Sequence, residues 1–355
     1  MIDKEAIRRF ALESGADLCG FGDLNRFEGV PRAMDPRFVF PAARSLICLA
    51  FRMPRGVQRG IEEGTQFYQY PSLAYGGINE TYAPSILYEV GKFIEDQGYE
   101  AMIYRNTGAR GSVSDMDGTP GNTLSPEEQI VYQQTGSRTA HHRTVQTTRP
   151  VSPEQEAPDL QFHFRLAAVA CGLGEIGLSK MLLTPQFGPM QRFAFIFTDA
   201  PIEPDPMYSG KPLCLKCKAC IRECPGHCLS DTETVTVTVG GKPMTWAKLD
   251  EWRCYIYYTY SGRKQDPFVP TEVFDQHRDG KLRIYEHPEV KANEQEVLNV
   301  YATLDPYFPS QVGYNMAKCA GCIGACVNML ERGGCLKGKF KEPFRKGLRR
   351  WNIDR

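Results

Sequence analysis

Apolar positions follow helix and strand periods over the first hundred residues. Residues 2–21 predict a helix that leads into a strand, and residues 44–51 (RSLICLAF) form an apolar run typical of a buried strand. Residues 82–97 place apolar side chains at helical spacing with Pro84 in the first turn, and residues 98–104 (GYEAMIY) predict the next strand. This alternation predicts a mixed fold of class α/β or, more broadly, α+β.

The pattern weakens in residues 105–159, which are rich in Gly, Ser, Thr, Pro and Gln and predict an insertion or lid. It returns in residues 160–170, which predict a helix, and in residues 192–200, which predict a strand. Residues 232–246 alternate around Gly240-Gly241, which predicts a β-hairpin.

Composition indicates a soluble globular chain. Of 355 residues, 42% are hydrophobic and 24% charged, and 42 basic residues balance 42 acidic ones, so no net charge favours nucleic acid or membrane. The N-terminus lacks a secretory pattern, and no apolar run is long enough to span a membrane, so we expect a cytoplasmic protein. Thirteen cysteines in that reducing compartment favour metal or redox chemistry over disulfides.

The cysteine spacing is typical of bacterial ferredoxins. Residues 214–225 (CLKCKACIRECP) read C-x-x-C-x-x-C-x-x-x-C-P, residues 319–326 (CAGCIGAC) add three thiols, and Cys254 supplies the eighth. In that pattern, the fourth cysteine of the run ligates the neighbouring cluster. The first predicted 4Fe–4S cluster is ligated by Cys214, Cys217, Cys220 and Cys326, and the second by Cys224, Cys254, Cys319 and Cys322.

Zinc is the alternative, but zinc sites usually show two separated C-x-x-C pairs. The remaining cysteines are predicted to be small buried apolar side chains, two of which, Cys228 and Cys335, lie near the clusters in sequence. These remaining cysteines are Cys19, Cys48, Cys171, Cys228 and Cys335.

Residues 168–205 (AVACGLGEIGLSKMLLTPQFGPMQRFAFIFTDAPIEPD), followed by the cysteine run, resemble the cobalamin-dependent reductases. This superfamily comprises the reductive dehalogenases and the epoxyqueuosine reductases. The block is more similar to the dehalogenases, because epoxyqueuosine reductases have Trp in place of Glu175 and lack the Thr184-Pro185 pair. The epoxyqueuosine reductases support Cys254 as a ligand, since Arg253-Cys254 resembles an Arg-Cys-x-x-Tyr segment that they carry.

The resemblance implies a nitroreductase-like core that holds base-off cobalamin, beside a ferredoxin-like domain with two clusters. The implied core covers residues 1–205 with 105–159 as insertion or lid. The implied iron–sulfur domain covers residues 206–336, and residues 337–355 form a basic C-terminal tail.

The resemblance also implies cofactor contacts in a glycine-lined loop close to the corrin. A dinucleotide-binding loop would match the same glycines, but Pro185 follows too soon for the long helix that such a site needs. His277, in a D-x-H-x-x-G sequence, is interpreted as part of a turn and not as a cobalt ligand. The implied cofactor-binding residues are Gly172, Gly174, Glu175, Gly177, Thr184 and Gly188.

Four implied catalytic residues complete the prediction. Asn106 and Arg192 match the dehalogenase pattern, and the proton donor is Tyr82 or Glu80, which lie near the start of the helix. Arg192 would stabilise the conjugate base of the donor. Asp159 is the next candidate, by its spacing from the Gly-Leu-Gly motif.

The implied function is a reductase in which the two clusters reduce cob(II)alamin to cob(I)alamin, which cleaves a carbon–heteroatom bond of a small molecule. The implied electron donor is reduced ferredoxin or flavodoxin, with no nucleic acid or membrane partner. Two alternatives remain: an epoxyqueuosine reductase acting on tRNA, and an electron-transfer or corrinoid-activating protein without an organic substrate of its own.

Overall fold

The computed structural model describes residues 2–31, 34–106, 111–112, 151–152, 160–307, 319 and 321–346. Most of the predicted insertion at 105–159 lies outside these ranges, as do Asp159 and the basic tail beyond residue 346. Within them, no helix is long and apolar enough to cross a membrane.

The described helices and strands follow the order that the sequence predicts. The helices are α1 (Lys4–Glu13), α2 (Arg55–Glu63), α3 (Gln69–Pro71), α4 (Ala83–Glu95), α5 (Phe164–Ala170), α6 (Ala219–Arg222), α7 (Glu251–Tyr260), α8 (Thr271–Gln276), α9 (Glu294–Leu304) and α10 (Gly321–Arg332). A π-helical segment, Ser72–Tyr82, joins α3 to α4, and short 3₁₀ turns occupy Leu24–Phe27, Arg263–Gln265, Arg283–Tyr285 and Asp305–Tyr307.

The strands form one central sheet and three small pairs. They are β1 (Leu18–Asp23), β2 (Ser45–Arg52), β3 (Ala101–Tyr104), β4 (Gly111–Ser112), β5 (Leu160–Gln161), β6 (Glu175–Ile176), β7 (Leu182–Leu183), β8 (Gln191–Thr198), β9 (Leu229–Val239) and β10 (Lys242–Leu249). The central order is β1-β2-β8-β3, and each neighbouring pair is antiparallel. The fold is therefore a mixture of helix and sheet, and α+β describes it better than α/β.

Both faces of the central sheet are buried. Ile47 and Leu49 of β2 pack into the same apolar cluster as α1 and α4, whereas Leu46 and Cys48 join a second cluster with α5. Successive side chains of a strand point to opposite faces, so a strand covered on both sides is apolar at every position. This burial explains the unbroken run that predicted β2.

One predicted helix is shorter than expected. Residues 160–170 were predicted to be helical throughout, but Leu160–Gln161 pairs with β4 and the helix begins at Phe164. His163 is its N-cap, and its Nδ1 accepts a hydrogen bond from the backbone N–H of Leu166 at 3.2 Å. The apolar period alone does not locate such a cap.

The cysteine-rich half begins with the predicted hairpin, β9–β10, whose turn residues Gly240 and Gly241 have φ of 52° and 76°. Helices α7, α8 and α9 then share an apolar core of their own. Helix α10 returns to the sheet domain, where Ile323 and Val327 pack in the same cluster as Ile47. This return brings the last cysteines against the first half of the chain.

Candidate metal centre

The first cysteine of the run is held by the loop that contains the Gly-Leu-Gly-Glu sequence. An Oε1 of Glu175 accepts hydrogen bonds from the backbone N–H groups of Leu213, at 2.6 Å, and Cys214, at 2.9 Å. The backbone N–H of Leu178 donates to Sγ of Cys214 at 3.3 Å. Such donors stabilise a thiolate, so this loop orients Cys214 as a ligand.

Four thiols gather around one hollow beside this loop. The hollow is lined by Cys214, Cys217, Cys220 and Cys326, together with Leu178 and Leu330. Lys216 and Lys218 adopt left-handed φ of 49° and 56°, which turns the chain between successive cysteines. The first group predicted from sequence is therefore one spatial group.

The second group is built from three segments. Burial raises the pKa of Cys322 well above its usual value, and the neighbouring thiols of Cys319, Cys254 and Cys224 act in the same direction, as does Cys220 of the first set. The backbone N–H of Cys319 donates to the carbonyl of Tyr258, on the helix that carries Cys254, at 3.2 Å. The predicted second set thus also lies together.

The donor chemistry fits two clusters. Eight thiols form two sets of four, and backbone N–H groups donate to Sγ of Cys214 and Cys224, at 3.3 Å in each case. Across the ranges that the structure describes, no three His, Cys, Asp or Glu side chains converge as a single bound ion requires. A pair of cubanes needs two sets of four thiolates.

The glycines predicted to approach a corrin instead approach the chain itself. A Cβ at Gly174 would lie 1.9 Å from the carbonyl oxygen of Leu183, and one at Gly172 would lie 2.6 Å from that of Pro206. A Cβ at Gly177 would lie 2.9 Å from the side chain of Leu183. These contacts alone account for glycine at the three positions.

The other predicted cofactor contacts, Thr184 and Gly188, also interact with other residues of the chain. Thr184 is fully buried, and its Oγ1 is hydrogen-bonded to Gln191 Oε1 at 3.1 Å and to the backbone N–H of Phe187 at 3.2 Å. Gly188 has φ of 56° and faces Leu330 and Leu336. Together with Glu175, these residues connect the sheet domain to the cysteine segments.

A cavity of about 520 Å³ adjoins this turn. Its wall is mostly apolar and includes Phe187 and Met190 from the sheet domain, Val327 from α10 and Phe340 from the C-terminal segment. Arg55 lies at its edge, stacked on Phe340 at 3.7 Å and paired with Glu331 at 2.7 Å. The volume suits a small organic molecule.

Three of the predicted catalytic residues, Glu80, Arg192 and Tyr82, each contact a different part of the chain. Glu80 pairs with Arg105 at 2.6 Å, which places it near the half-buried Asn106. Arg192 donates from Nε to the carbonyl of Ala74 at 3.1 Å. Tyr82, 48% exposed, donates from its hydroxyl to the carbonyl of Gly15 at 3.2 Å.

Sequence reasoning missed several contacts around the thiols. Arg345 forms a buried ion pair with Glu62 of α2 at 2.6 Å and reaches Glu223, the residue before Cys224, at 2.7 Å. Lys180 is buried beside α7 and pairs with Glu251 at 2.8 Å, and burial lowers its pKa. No spacing rule links partners this far apart in sequence, although charge in an otherwise apolar segment marks such residues as candidates.

The cysteines outside the two sets divide as follows. Cys19, Cys48, Cys171 and Cys228 are buried as predicted, whereas Cys335 is half-buried. Burial raises the pKa of the Cys19 thiol to about 12, so this cysteine is a small apolar side chain in the core.

No protein-family model matches this chain. Among curated proteins, it is 34% identical over 105 residues to a tetrachloroethene reductive dehalogenase of Dehalobacter restrictus, a match that covers 27% of this chain and 19% of that protein. An epoxyqueuosine reductase of Synechococcus sp. is 29% identical over 99 residues, which cover 28% of this chain and 26% of the enzyme. The chain thus spans about a fifth of the length of the curated dehalogenases that it matches.

Solved structures of the same two kinds are similar to it. A reductive dehalogenase described as B12-dependent aligns at a TM-score of 0.47 with 16% identity, over 98% of this chain and 40% of the other. An epoxyqueuosine reductase bound to a tRNA stem loop aligns at a TM-score of 0.41 with 14% identity, over 94% of this chain and 82% of the other.

Proposed function

Because this chain is related to the superfamily of reductive dehalogenases and epoxyqueuosine reductases, as its sequence predicted, we propose that it is an iron–sulfur reductase with two 4Fe–4S clusters. The observation that carries this proposal is the gathering of eight cysteines into two sets of four. Two adjacent low-potential clusters are suited to passing single electrons. We further propose a ferredoxin-like domain over residues 206–336 and a nitroreductase-like core over 1–205.

The neighbours of each set support one direction of electron flow. The first set adjoins the loop at Glu175 and, through Val327 beside Cys326, the cavity of about 520 Å³. In the second set, Cys254 lies on α7, and no cysteine of this set directly precedes or follows a residue of the cavity lining. Electrons from reduced ferredoxin or flavodoxin would therefore enter at the second cluster and leave from the first.

The substrate class is a small molecule whose carbon–heteroatom bond is cleaved reductively, as in the dehalogenases. A proton must accompany the electrons, and the hydroxyl of Tyr82 is the proposed donor, with Glu80 as the other candidate. Arg192 and Asn106 would orient the substrate or stabilise the donor's conjugate base. These roles rest on the resemblance.

Cobalamin is part of the proposal because of the relationship to the reductive dehalogenases and epoxyqueuosine reductases. When bound, it would supply a low-potential metal that attacks or reduces the carbon–heteroatom bond. The six predicted contacts are packed against the chain's own backbone and side chains. The cavity described above is lined by none of these six residues.

Because the predicted corrin contacts pack against the chain itself, we consider a second candidate function. In this candidate, the chain is an electron-transfer protein that reduces a corrinoid held by another protein. In this alternative the same two clusters operate, but the acceptor lies outside the chain. The epoxyqueuosine alternative has no comparable observation in its favour among the described residues.

Anaerobic reconstitution with iron, sulfide and cobalamin tests the proposal and separates the two candidates. Retention of one cobalamin per chain after gel filtration would support a reductase that carries its own cobalamin. Its cob(II)alamin EPR spectrum should lack nitrogen splitting, since no histidine is proposed as a ligand. Retention of both clusters without cobalamin would favour the electron-transfer protein, and failure to retain clusters would contradict both.

A further inference from the structure

The second set contains a fifth thiol. Cys228 is buried, with 3% of its surface exposed, and its side chain lies within hydrogen-bonding reach of the sulfurs of Cys224 and Cys254. Its backbone N–H also donates to Sγ of Cys224 at 3.3 Å. A cubane takes four cysteine ligands, so one thiol in this group is surplus.

The turn between Cys224 and Cys228 is shaped to bring this thiol inward. His227 has φ of 48°, and its backbone N–H donates to the carbonyl of Cys224 at 3.1 Å. A Cβ at Gly226 would lie 2.5 Å from the ring of Tyr257 and 2.7 Å from Sγ of Cys228. Glycine therefore lets the turn press against α7, the helix that carries Cys254.

A second contact ties Cys228 to the ligand helix. The carbonyl of Cys228 accepts a hydrogen bond from the backbone N–H of Asp250 at 2.8 Å. Asp250 is the N-cap of α7, and its own carbonyl accepts from the backbone N–H of Cys254 at 2.9 Å. Cys228 and Cys254 are thus held in register by one chain of backbone hydrogen bonds.

We propose that Cys228 is a substitute ligand of the second cluster, able to bind the iron that Cys254 would otherwise hold. This inference rests on the proposed two-cluster function. When Cys254 is absent, the Cys228 thiol forms the iron–sulfur bond and its proton leaves to solvent, with no electron transferred. Cys228 is buried and Cys254 is half-buried beside it, so exchange needs side-chain rotation and no new segment.

Four proteins test this substitution: wild type, Cys254→Ala, Cys228→Ala and the double variant. Each is reconstituted anaerobically with iron and sulfide, then moved into thiol-free buffer. Wild type and both single variants should hold about eight irons per chain. The double variant should fall to about four, with the EPR spectrum of the first cluster retained. Cys254→Ala should also change the EPR spectrum of the second cluster.

The matched control is Cys254→Ala combined with Cys48→Ala, because Cys48 is a buried cysteine in the sheet core. This protein should keep about eight irons, like Cys254→Ala alone. The inference is overturned if Cys254→Ala alone loses the second cluster while the first cluster persists, or if the double variant keeps both. A wild type with fewer than two clusters would instead contradict the proposed function itself.

Discussion

The two cysteine groups are chemically alike but are assembled in different ways. Three members of the first group come from one run of seven residues, and Glu175 and Leu178 hold that run by its first cysteine. The second group combines Cys224, Cys254 and the pair Cys319 and Cys322, which only tertiary packing brings together. Local sequence therefore specifies the first group, whereas the second depends on the helices around it.

Removal of one ligand from each group is expected to have the largest effect. Cys217→Ala should lower the iron content from about eight to about four per chain and remove the first cluster alone. Cys322→Ala should remove the second cluster alone, because its thiol lies among those of the second group. Iron analysis and EPR of the reduced proteins measure both. If either variant loses both clusters, the two groups are not independent.

The buried ion pairs of Arg345 should matter most for the second group. Arg345→Met leaves Glu62 buried without its partner, at 4% side-chain exposure, and should lower the free energy of unfolding by about 3 kcal/mol. Because Glu223 precedes Cys224, the second cluster should also lose iron to a chelator faster than the first.

Lys346→Ala is the matched control, since Lys346 is exposed and pairs with the exposed Glu342 at 3.3 Å. It should leave the unfolding transition and both iron-loss rates unchanged. If iron is lost equally faster from both clusters in Arg345→Met, the ion pair does not stabilise the second cysteine group more than the first.

Asp266 should make the region around the second group sensitive to pH. Burial raises its pKa to about 7, while its Oδ1 accepts from the backbone N–H of Phe268 at 2.8 Å. The folded state therefore keeps a proton that the unfolded state has already lost. The stability that this proton contributes is complete below the unfolded pKa near 4 and disappears as pH rises to about 7.

Asp266→Asn keeps the acceptor oxygen and cannot ionise. The difference in unfolding free energy between Asp266→Asn and wild type should shift by roughly 2 kcal/mol in favour of the variant between pH 5 and pH 7. Anaerobic thermal melts across this range measure it as a widening gap in Tm. A gap that is constant with pH would mean that Asp266 does not hold the extra proton.

The smallest expected effect concerns the first cluster. Glu175→Gln keeps an acceptor for Leu213 and Cys214 but removes a negative charge beside that cluster. A nearby negative charge opposes reduction, so the midpoint potential of the first cluster should rise by on the order of 50 mV. The second cluster should not shift. Redox titration followed by EPR resolves the two, and a shift confined to the second cluster would contradict this placement of Glu175.

Sequence patterns predicted those parts of the fold that depend on neighbouring residues. The run at 44–51, the helix at 82–97 and the Gly240-Gly241 hairpin all appear in the structure with small changes in their ends. The grouping of Cys214, Cys217 and Cys220 followed from ligand spacing in the same way. Each of these features is encoded within a short segment or by a fixed motif.

The contacts that sequence reasoning missed have one physical cause. Glycine at Gly174 indicates a close approach, but the sequence does not identify the carbonyl of Leu183 as an approaching group. Likewise, Glu175 binds backbone N–H groups 38 and 39 residues later in the chain. Partners that meet only in the folded chain cannot be identified from local pattern.

The central claim, that this chain carries two 4Fe–4S clusters on two sets of four cysteines, is tested most directly by metal and sulfide analysis of the wild-type protein after anaerobic reconstitution. We predict about eight irons and eight acid-labile sulfides per chain, with EPR signals of two interacting clusters after reduction. A stoichiometric zinc content with about four irons or fewer would contradict the claim.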